Sequence, residues 1–231
     1  MRAMEQFTLH DVTKSYGGAP VLSGISLTIA AGEKVAIMGP SGSGKSTLLH
    51  CMSGVLRPTS GSVLFDGTDI AQLGDAARSR LRLRSFGFVF QDGQLLPELT
   101  AAENIALPAM LSGVSRGTAR KRALGLLEQL GLSELAHRRP ANMSGGQAQR
   151  VAVARALVTE PAVIFADEPT GALDQATGHE MMQLLTTLVT GRGTTLIMVT
   201  HDAKVANWMD RRIEIRDGII HDDRVLGGVS R

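Results

Sequence analysis

Residues 39–47 read Gly-Pro-Ser-Gly-Ser-Gly-Lys-Ser-Thr, a pattern whose residue types suit phosphate binding. Glycines let the chain turn tightly and direct backbone N–H groups at phosphate oxygens, beside a helix N-terminus that carries about half a positive charge. Lys45 is predicted to contact the β and γ phosphates of a nucleotide, and the Ser46 hydroxyl to ligate Mg²⁺. The residues predicted to bind the nucleotide here are Gly39, Pro40, Ser41, Gly42, Ser43, Gly44, Lys45, Ser46 and Thr47.

A glycine- and serine-rich surface turn is the alternative interpretation of this stretch. A phosphate-binding loop requires a strand before it and a helix after it. An apolar run precedes the pattern at residues 35–38, and a helix-like segment follows it at residues 48–52. This context favours the phosphate-binding loop.

Two acidic residues, Asp167 and Glu168, directly follow the apolar run at residues 162–166. Asp167 is placed to hold Mg²⁺ through water, because this ion prefers oxygen ligands and keeps several of its waters. Glu168 is predicted to polarise the water that attacks the γ-phosphate, a role worth roughly 10²–10⁴ in rate. A solvated acidic loop is the alternative, but the phosphate loop upstream favours the catalytic interpretation.

Two more polar side chains, Gln91 and His201, follow apolar runs that we predict to be strands. A ring N–H of His201 could donate to the γ-phosphate, although a lone histidine is more often a capping or surface group. A surface amide is the default interpretation of Gln91. Ligands of open parallel sheets bind outside the carboxyl ends of the strands, so one site could collect Gly39, Gln91, Asp167 and His201.

The composition is that of a globular protein, with 231 residues, 43% hydrophobic and 20% charged. No apolar run approaches the roughly 20 residues that span a bilayer, and the N-terminus lacks a signal-peptide pattern, so we expect a cytoplasmic protein. Cys51 is the only cysteine, which excludes an internal disulfide. A formal charge of +2 is too small to indicate nucleic-acid binding, and no nucleic-acid partner is expected.

Hydrophobic periodicity predicts the elements that position these residues. Alternation at residues 7–13 and 25–29 predicts a small antiparallel sheet, and continuous apolar runs at 86–90, 162–166 and 195–199 predict buried parallel strands. Helices are predicted at 101–111, interrupted by Pro108, at 118–130, from Ser144 onward, and at 178–189 between two strands. Residues 75–84 hold four arginines on no common face and are interpreted as a solvated segment, with a membrane or partner contact as the alternative.

The predicted fold class is α/β: a P-loop NTPase core with a parallel sheet, an N-terminal antiparallel β subdomain and an inserted α-helical subdomain. We expect one domain over residues 1–231. Residues 1–90 and 158–231 would form the nucleotide-binding core with the β subdomain, and residues 91–157 the helical subdomain.

With the phosphate loop and the acidic pair, a third motif resembles the nucleotide-binding subunit of ATP-binding-cassette (ABC) transporters. Residues 143–147 read Met-Ser-Gly-Gly-Gln, which is similar to the family signature Leu-Ser-Gly-Gly-Gln. Generic phosphate-loop ATPases and GTPases lack this signature. The likeness extends over about residues 7–220, and Met143 in place of leucine is a conservative apolar exchange.

The resemblance implies roles for further residues. Tyr16 resembles the aromatic residue that stacks on adenine, and His201 the switch histidine. Gln91 matches the glutamine that contacts the metal and links the nucleotide site to the membrane subunit. Asp174 lies in the loop that couples two sites across a dimer.

The resemblance also implies a homodimer in which two copies hold two ATP molecules head to tail. The signature residues Ser144, Gly145, Gly146 and Gln147, with Asp174, would contact the nucleotide held by Lys45 of the other copy. A Ser-Gly-Gly helix start is suited to this contact, because it presents backbone N–H groups and a positive dipole end to an anion.

Segments 87–91, 95–97, 103–104 and 168–174 resemble the branch of lipoprotein release, macrolide export and antimicrobial-peptide resistance. An integral-membrane permease is therefore expected to dock near the Gln91 loop and the helical subdomain. Gly93 stands where relatives often carry a bulky aromatic residue, which changes the expected docking groove. The apolar residues near it are either groove or, more in keeping with their composition, helical-subdomain core: Leu95, Leu96, Leu99, Ile105 and Leu107.

The function expected from these features is that of an ATP-binding and ATP-hydrolysing subunit that dimerises on ATP and powers a separate permease, for export. It would sit at the cytoplasmic face of the membrane through that permease. One alternative is the ATPase of a non-transporting envelope or cell-division regulator. A DNA-repair or chromosome-associated ATPase is another, although only a modest insert separates Gln91 from Ser144, where such proteins need a long coiled coil.

Overall fold

The computed structural model describes residues 5–226. Short 3₁₀ turns lie at Ile70–Gln72, Ser133–Leu135 and Pro140–Asn142. No helix in this part of the chain is long and apolar enough to cross a membrane. In chain order the strands and helices are β1 (Glu5–Tyr16), β2 (Ala19–Ala30), β3 (Lys34–Met38), α1 (Lys45–Met52), β4 (Ser60–Phe65), β5 (Thr68–Asp69), α2 (Asp75–Ser85), β6 (Phe86–Phe90), α3 (Ala101–Leu111), α4 (Arg116–Gln129), α5 (Gly145–Leu157), β7 (Val163–Asp167), α6 (Gln175–Arg192), β8 (Thr195–Val199), α7 (Ala203–Ala206), β9 (Arg211–Arg216) and β10 (Ile219–Val225).

The chain divides into two compact units, and the described part of the first comprises residues 5–79 and 192–226. It contains an antiparallel sheet of order β2-β1-β4-β5, in which Phe7 of β1 packs against Phe65 of β4 with ring centroids 5.2 Å apart. It also contains β3 between β8 and β9, both parallel to it, with β10 antiparallel to β9. The predicted antiparallel sheet and parallel core are confirmed.

The second unit comprises residues 80–191. Strands β6 and β7 pair in parallel, and α5 packs on β6. This packing is close: a Cβ on Gly87 would lie 2.4 Å from the carbonyl oxygen of Ala156. Helices α3, α4 and α5 pack together as a helical layer.

Two helix predictions need correction. Helix α3 runs without a break from Ala101 to Leu111 through Pro108, because its first turn is closed by a Thr100–Glu103 capping box and its buried face holds it in place. Residues 75–85, predicted to be a solvated segment, form helix α2, whose residues are exposed or half-buried except Arg78, which is buried and paired with Asp75. Burial of a paired arginine depends on tertiary neighbours that charge spacing does not report.

The boundaries of the two units follow chain contacts, at residues 79/80 and 191/192. The sequence predicted a different division, based on function. It assigned residues 1–90 and 158–231 to the nucleotide-binding core with the β subdomain, and residues 91–157 to the helical subdomain that carries the signature. That division stays a prediction, and residues 1–4 and 227–231 of its range lie outside the described residues.

Candidate nucleotide-binding site

The phosphate loop joins β3 to α1 in the first unit, and its glycines are required by close backbone approaches. Gly39 has φ 149°, and a Cβ on it would lie 2.0 Å from the carbonyl oxygen of Ile215. Gly44 has φ 97°, and a Cβ there would lie 2.7 Å from the carbonyl oxygen of Val21. These left-handed, crowded positions accept no other residue without strain. The loop path is therefore fixed by the glycine spacing seen in the sequence.

The loop carries donors suited to an anion. Helix α1 begins at Lys45, and its N-cap, Gly44, has no side chain to accept from the first-turn N–H groups. The Ser43 hydroxyl is buried and has no hydrogen-bond partner within the described chain. The Lys45 ammonium, only 9% exposed, donates to the Pro40 carbonyl at 2.8 Å. Oxygens of a phosphate chain would satisfy these donors, so the residues present fit a nucleotide.

An open cavity of about 600 Å³ lies beside this loop, large enough for part of a small ligand. Gly39 and Pro40 form one side of it, and His201 lines it too, so the structure brings the predicted histidine to the phosphate loop. Sequence analysis missed three charged residues of this cavity: Arg212, Glu214 and Arg216. They alternate along β9 and therefore share one face, which is the signal that could have identified them.

Tyr16, the predicted adenine contact, ends β1 and is 49% exposed. The Lys14 ammonium lies 5.1 Å from the centroid of its ring. The exposed ring leaves area for a stacked base, so the adenine contact stays a prediction consistent with this geometry.

In the second unit the structure brings Gln91, Asp167 and Glu168 together at the carboxyl ends of two neighbouring parallel strands. Asp167 ends β7 opposite Phe90 of β6, and Gln91 follows Phe90. The Gln91 amide lies against Gly171, where an added Cβ would be 2.8 Å from its Nε2. Glu168 has φ 47°, and its carbonyl accepts from the Gly171 N–H at 2.9 Å.

The signature residues start helix α5. Ser144 is the N-cap: its hydroxyl accepts from the Gln147 N–H at 3.3 Å, and its own N–H donates to Gln147 Oε1 at 2.9 Å. The side chains of Ser144 and Gln147 therefore close the helix start. Gly145 and Gly146 supply the first-turn N–H groups, which have no acceptor within a helix.

Thr177 lies beside this helix start, since a Cβ on Gly146 would come 2.6 Å from Thr177 Cγ2. Asp174 is hydrogen-bonded to Thr177 and so lies near the signature too. The Asp174 carboxylate accepts from the Thr177 hydroxyl and from the N–H groups of Thr177 and Ala176. These hydrogen bonds, those of Thr177 first, lower the pKa of Asp174. Asp174 is therefore ionised and pre-positioned next to the signature.

The predicted site residues thus fall into two sets, each assembled within its own unit. The phosphate loop, Tyr16 and His201 lie in the first unit; Gln91, Asp167, Glu168, the signature and Asp174 lie in the second. Convergence of the two sets on one nucleotide stays a prediction.

A strand, a glycine-rich loop with Lys45 and Ser46, and a helix define a phosphate-loop nucleotide-binding protein. The family model described as ABC transporter matches residues 22–171, and the chain belongs to that family. The resemblance drawn from the sequence is confirmed.

Relatives of known name support this assignment. The chain is 48% identical over 217 residues to the lipoprotein-releasing system ATP-binding protein LolD of Geobacter metallireducens, covering 92% of this chain and 96% of that protein. It is 46% identical over 226 residues to the macrolide export ATP-binding/permease protein MacB of Syntrophobacter fumaroxidans, covering 95% of this chain but 32% of that protein.

Solved structures agree with the fold. The ATP-binding cassette MJ0796, in a dimeric post-hydrolysis state bound to ADP and Pi, matches with a TM-score of 0.88 and 42% identity over 96% of this chain and 99% of that one. CbiO1 from Clostridium perfringens, part of the ABC transporter complex cbiONQ, matches with a TM-score of 0.87 and 32% identity, over 95% and 88% of the two chains. The predicted fold class is confirmed, and the chain is an ATP-binding, ATP-hydrolysing ABC transporter subunit.

Proposed function

We propose that two copies of this chain close on two Mg²⁺–ATP complexes and thereby power a separate membrane permease, for export. The observation that carries the proposal is that one chain has two helix starts suited to phosphate, α1 after the phosphate loop and α5 at the signature. In a head-to-tail pair each nucleotide would receive α1 from one copy and α5 from the other. The dimeric, ADP- and Pi-bound state of the cassette MJ0796 supports this arrangement.

Magnesium would be held by the oxygen atoms of Ser46, Gln91 and Asp167 together with the phosphates. Among residues 5–226 no group of three or more His, Cys, Asp or Glu side chains could hold a metal ion alone. That donor set suits Mg²⁺, which is bound through one or two carboxylates plus substrate phosphates and water. When bound, Mg²⁺ supplies positive charge to the β and γ phosphates.

Residues of the chain itself have separate roles in hydrolysis. Lys45 and the loop N–H groups bind and orient the phosphates, and a ring N–H of His201 donates to the γ-phosphate. The Glu168 carboxylate accepts the proton of the attacking water as the water oxygen bonds to the γ-phosphorus, and the bond from that phosphorus to the bridging oxygen breaks, so that ADP leaves with this oxygen. Binding energy gained only in the closed pair shifts the population from open to closed, and loss of the γ-phosphate reverses that shift.

The permease would dock on the second unit, near the loop that follows Gln91. Leu96 in this loop and Met110 and Leu111 at the end of α3 are exposed apolar residues, while Ile105 is buried. Core is therefore the correct interpretation of Ile105, and Leu96 belongs to the surface. The names of the relatives, lipoprotein-releasing system and macrolide export, support an export partner and a position at the cytoplasmic face of the membrane.

The assigned roles are tested by ATP hydrolysis and nucleotide binding in purified variants. Glu168→Gln should retain ATP binding and lose roughly 10²–10⁴ in kcat, because only the proton acceptor is removed. Lys45→Ala should lose nucleotide affinity as well. Glu128→Gln, an exposed change on α4, is the matched control and should hydrolyse ATP at the wild-type rate. Wild-type turnover by Glu168→Gln would refute the assignment of the base.

A further inference from the structure

Helix α5 carries a buried amide, Gln149, two residues beyond the signature. Its side chain is 3% exposed, and Nε2 donates both of its hydrogens to backbone carbonyls, those of Phe90 and Pro169, each at 2.8 Å. Phe90 directly precedes Gln91, and Pro169 directly follows Glu168. One side chain therefore links the signature helix to both segments that carry predicted catalytic residues in this unit.

The loop after Phe90 is fastened to the same helix at further points. The Arg155 guanidinium donates to the carbonyls of Gln94 at 2.6 Å and Gly93 at 2.7 Å. Gly93, with φ 69°, lies on Gln149: a Cβ on it would come 3.2 Å from Gln149 Oε1. Any other residue at position 93 would have to adopt this left-handed conformation with its Cβ against α5. Glycine at position 93 therefore allows this loop to lie close to α5.

The segment of Glu168 also depends on outside support. Its φ of 47° is sparsely populated for a residue with a side chain, and such conformations persist where neighbouring groups hold them. The Gly171 N–H holds the Glu168 carbonyl, and Gln149 holds the next carbonyl, that of Pro169. Without the Gln149 amide this peptide would lose a fixed partner in a buried place.

We propose that Gln149 is a positioning residue for ATP hydrolysis, which holds the Glu168 segment and the Gln91 loop at fixed positions on the signature helix. The inference rests on the proposed roles of Glu168 and Gln91. When the first turn of α5 binds a phosphate, a shift of this helix would move Gln149. The Gln149 amide would then move both the Glu168 segment and the Gln91 loop. Gln149 would act through the carbonyls of Phe90 and Pro169 rather than by touching the reacting atoms.

The test measures kcat and KM for Mg²⁺–ATP in the full-length Gln149→Leu variant, which keeps the side-chain volume and removes both donors. We expect kcat to fall about 10- to 100-fold, as when outer partners of catalytic ligands are removed, with KM changed by less than about threefold. Gln183→Leu on the exposed face of α6 is the matched control. Both kinetic constants of this control should match the wild type.

A second variant, Gln149→Glu, keeps the shape of the side chain and makes its hydrogen-bond donor depend on pH. An ionised carboxylate donates no hydrogen bond, whereas the protonated form donates one, and burial raises the pKa of a carboxyl group. The kcat of this variant relative to wild type should therefore rise as the pH is lowered from about 8 to about 6. A residue that only fills space would give a pH-independent ratio.

Three results would overturn the inference. They are a Gln149→Leu kcat within about twofold of Gln183→Leu, a rise in KM at unchanged kcat, and a flat pH ratio for Gln149→Glu. Glu168→Gln is assayed in parallel, because its turnover tests the proposed function separately. If Glu168→Gln hydrolyses ATP normally, the assignment of the base fails; if it does not and Gln149→Leu is normal, only the positioning role fails.

Discussion

Glu168 has a backbone conformation that residues with side chains usually avoid, with φ 47°. Such a conformation costs of the order of 1–3 kcal/mol and is retained where it serves a purpose or is held by its surroundings. Glu168 is half-buried and follows directly on β7, so the unusual φ sets the direction in which its carboxylate leaves the strand. The role proposed for Glu168 requires such a fixed direction for its carboxylate.

The thiol of Cys51 provides a prediction about stability. Burial in α1 raises its pKa from 9.0 to about 11, and Lys14 opposes this shift only in part. The folded state therefore binds the thiol proton more tightly than the unfolded state does. Stability from this group is complete below about pH 9 and is lost as the pH rises to about 11, by about 2–3 kcal/mol.

Urea unfolding of wild type and Cys51→Ala between about pH 7 and pH 10.5 measures this effect. The wild type should lose its advantage over Cys51→Ala as the pH rises, because the variant has no thiol to titrate. Free energies of unfolding that differ by a constant amount over the whole range would contradict the predicted pKa shift.

At the level of elements, sequence patterns correctly predicted the helices and strands whose bounds depend on interactions within the segment itself. Helix α3 at 101–111 and strand β8 at 195–199 have the predicted bounds, because hydrophobic periodicity and the Thr100 cap are properties of the segments themselves. The phosphate loop was equally readable, since its glycines follow from backbone geometry. These local features account for most of the fold. They also account for the two sets of predicted site residues, one in each unit.

Features that depend on distant contacts were not predictable from the segments. The burial of Arg78, the place of Arg212 in the cavity and the two carbonyl partners of Gln149 each involve residues far apart in sequence. The capping use of the Gln147 side chain was also missed, although Ser followed by Gln three residues later is a known helix-start pattern.

The packing of α5 on β6 gives a prediction at this scale. Gly87→Ala would place a Cβ 2.4 Å from the Ala156 carbonyl oxygen, which forces strand and helix apart. The variant should be destabilised by about 1–3 kcal/mol or more in urea unfolding. The control is Gly125→Ala in α4, where nothing lies within 4 Å of the added Cβ.

The control should be stabilised by about 0.5–1 kcal/mol, because alanine is the better helix former. Equal effects of the two substitutions would mean that the close approach of Gly87 to Ala156 does not govern the stability of this layer.

At the level of the whole molecule, each unit carries part of the predicted nucleotide site. The first contributes the phosphate loop and His201, and the second contributes the acidic pair and the signature. The family membership is shown by sequence, whereas the proposed pairing of two copies rests on the two helix starts suited to phosphate. A pairing of this kind makes ATP itself part of the interface, so association should depend on the γ-phosphate.

Sedimentation of the purified Glu168→Gln chain with Mg²⁺–ATP tests this central claim most directly. Ser144→Asp in the same background is the control, because aspartate caps a helix as well as serine but sets a negative charge where the γ-phosphate is predicted. The account predicts dimers of Glu168→Gln with ATP, and monomers with ADP or when Ser144→Asp is added. Monomers of Glu168→Gln at every ATP concentration, in a chain that still binds ATP, would contradict it.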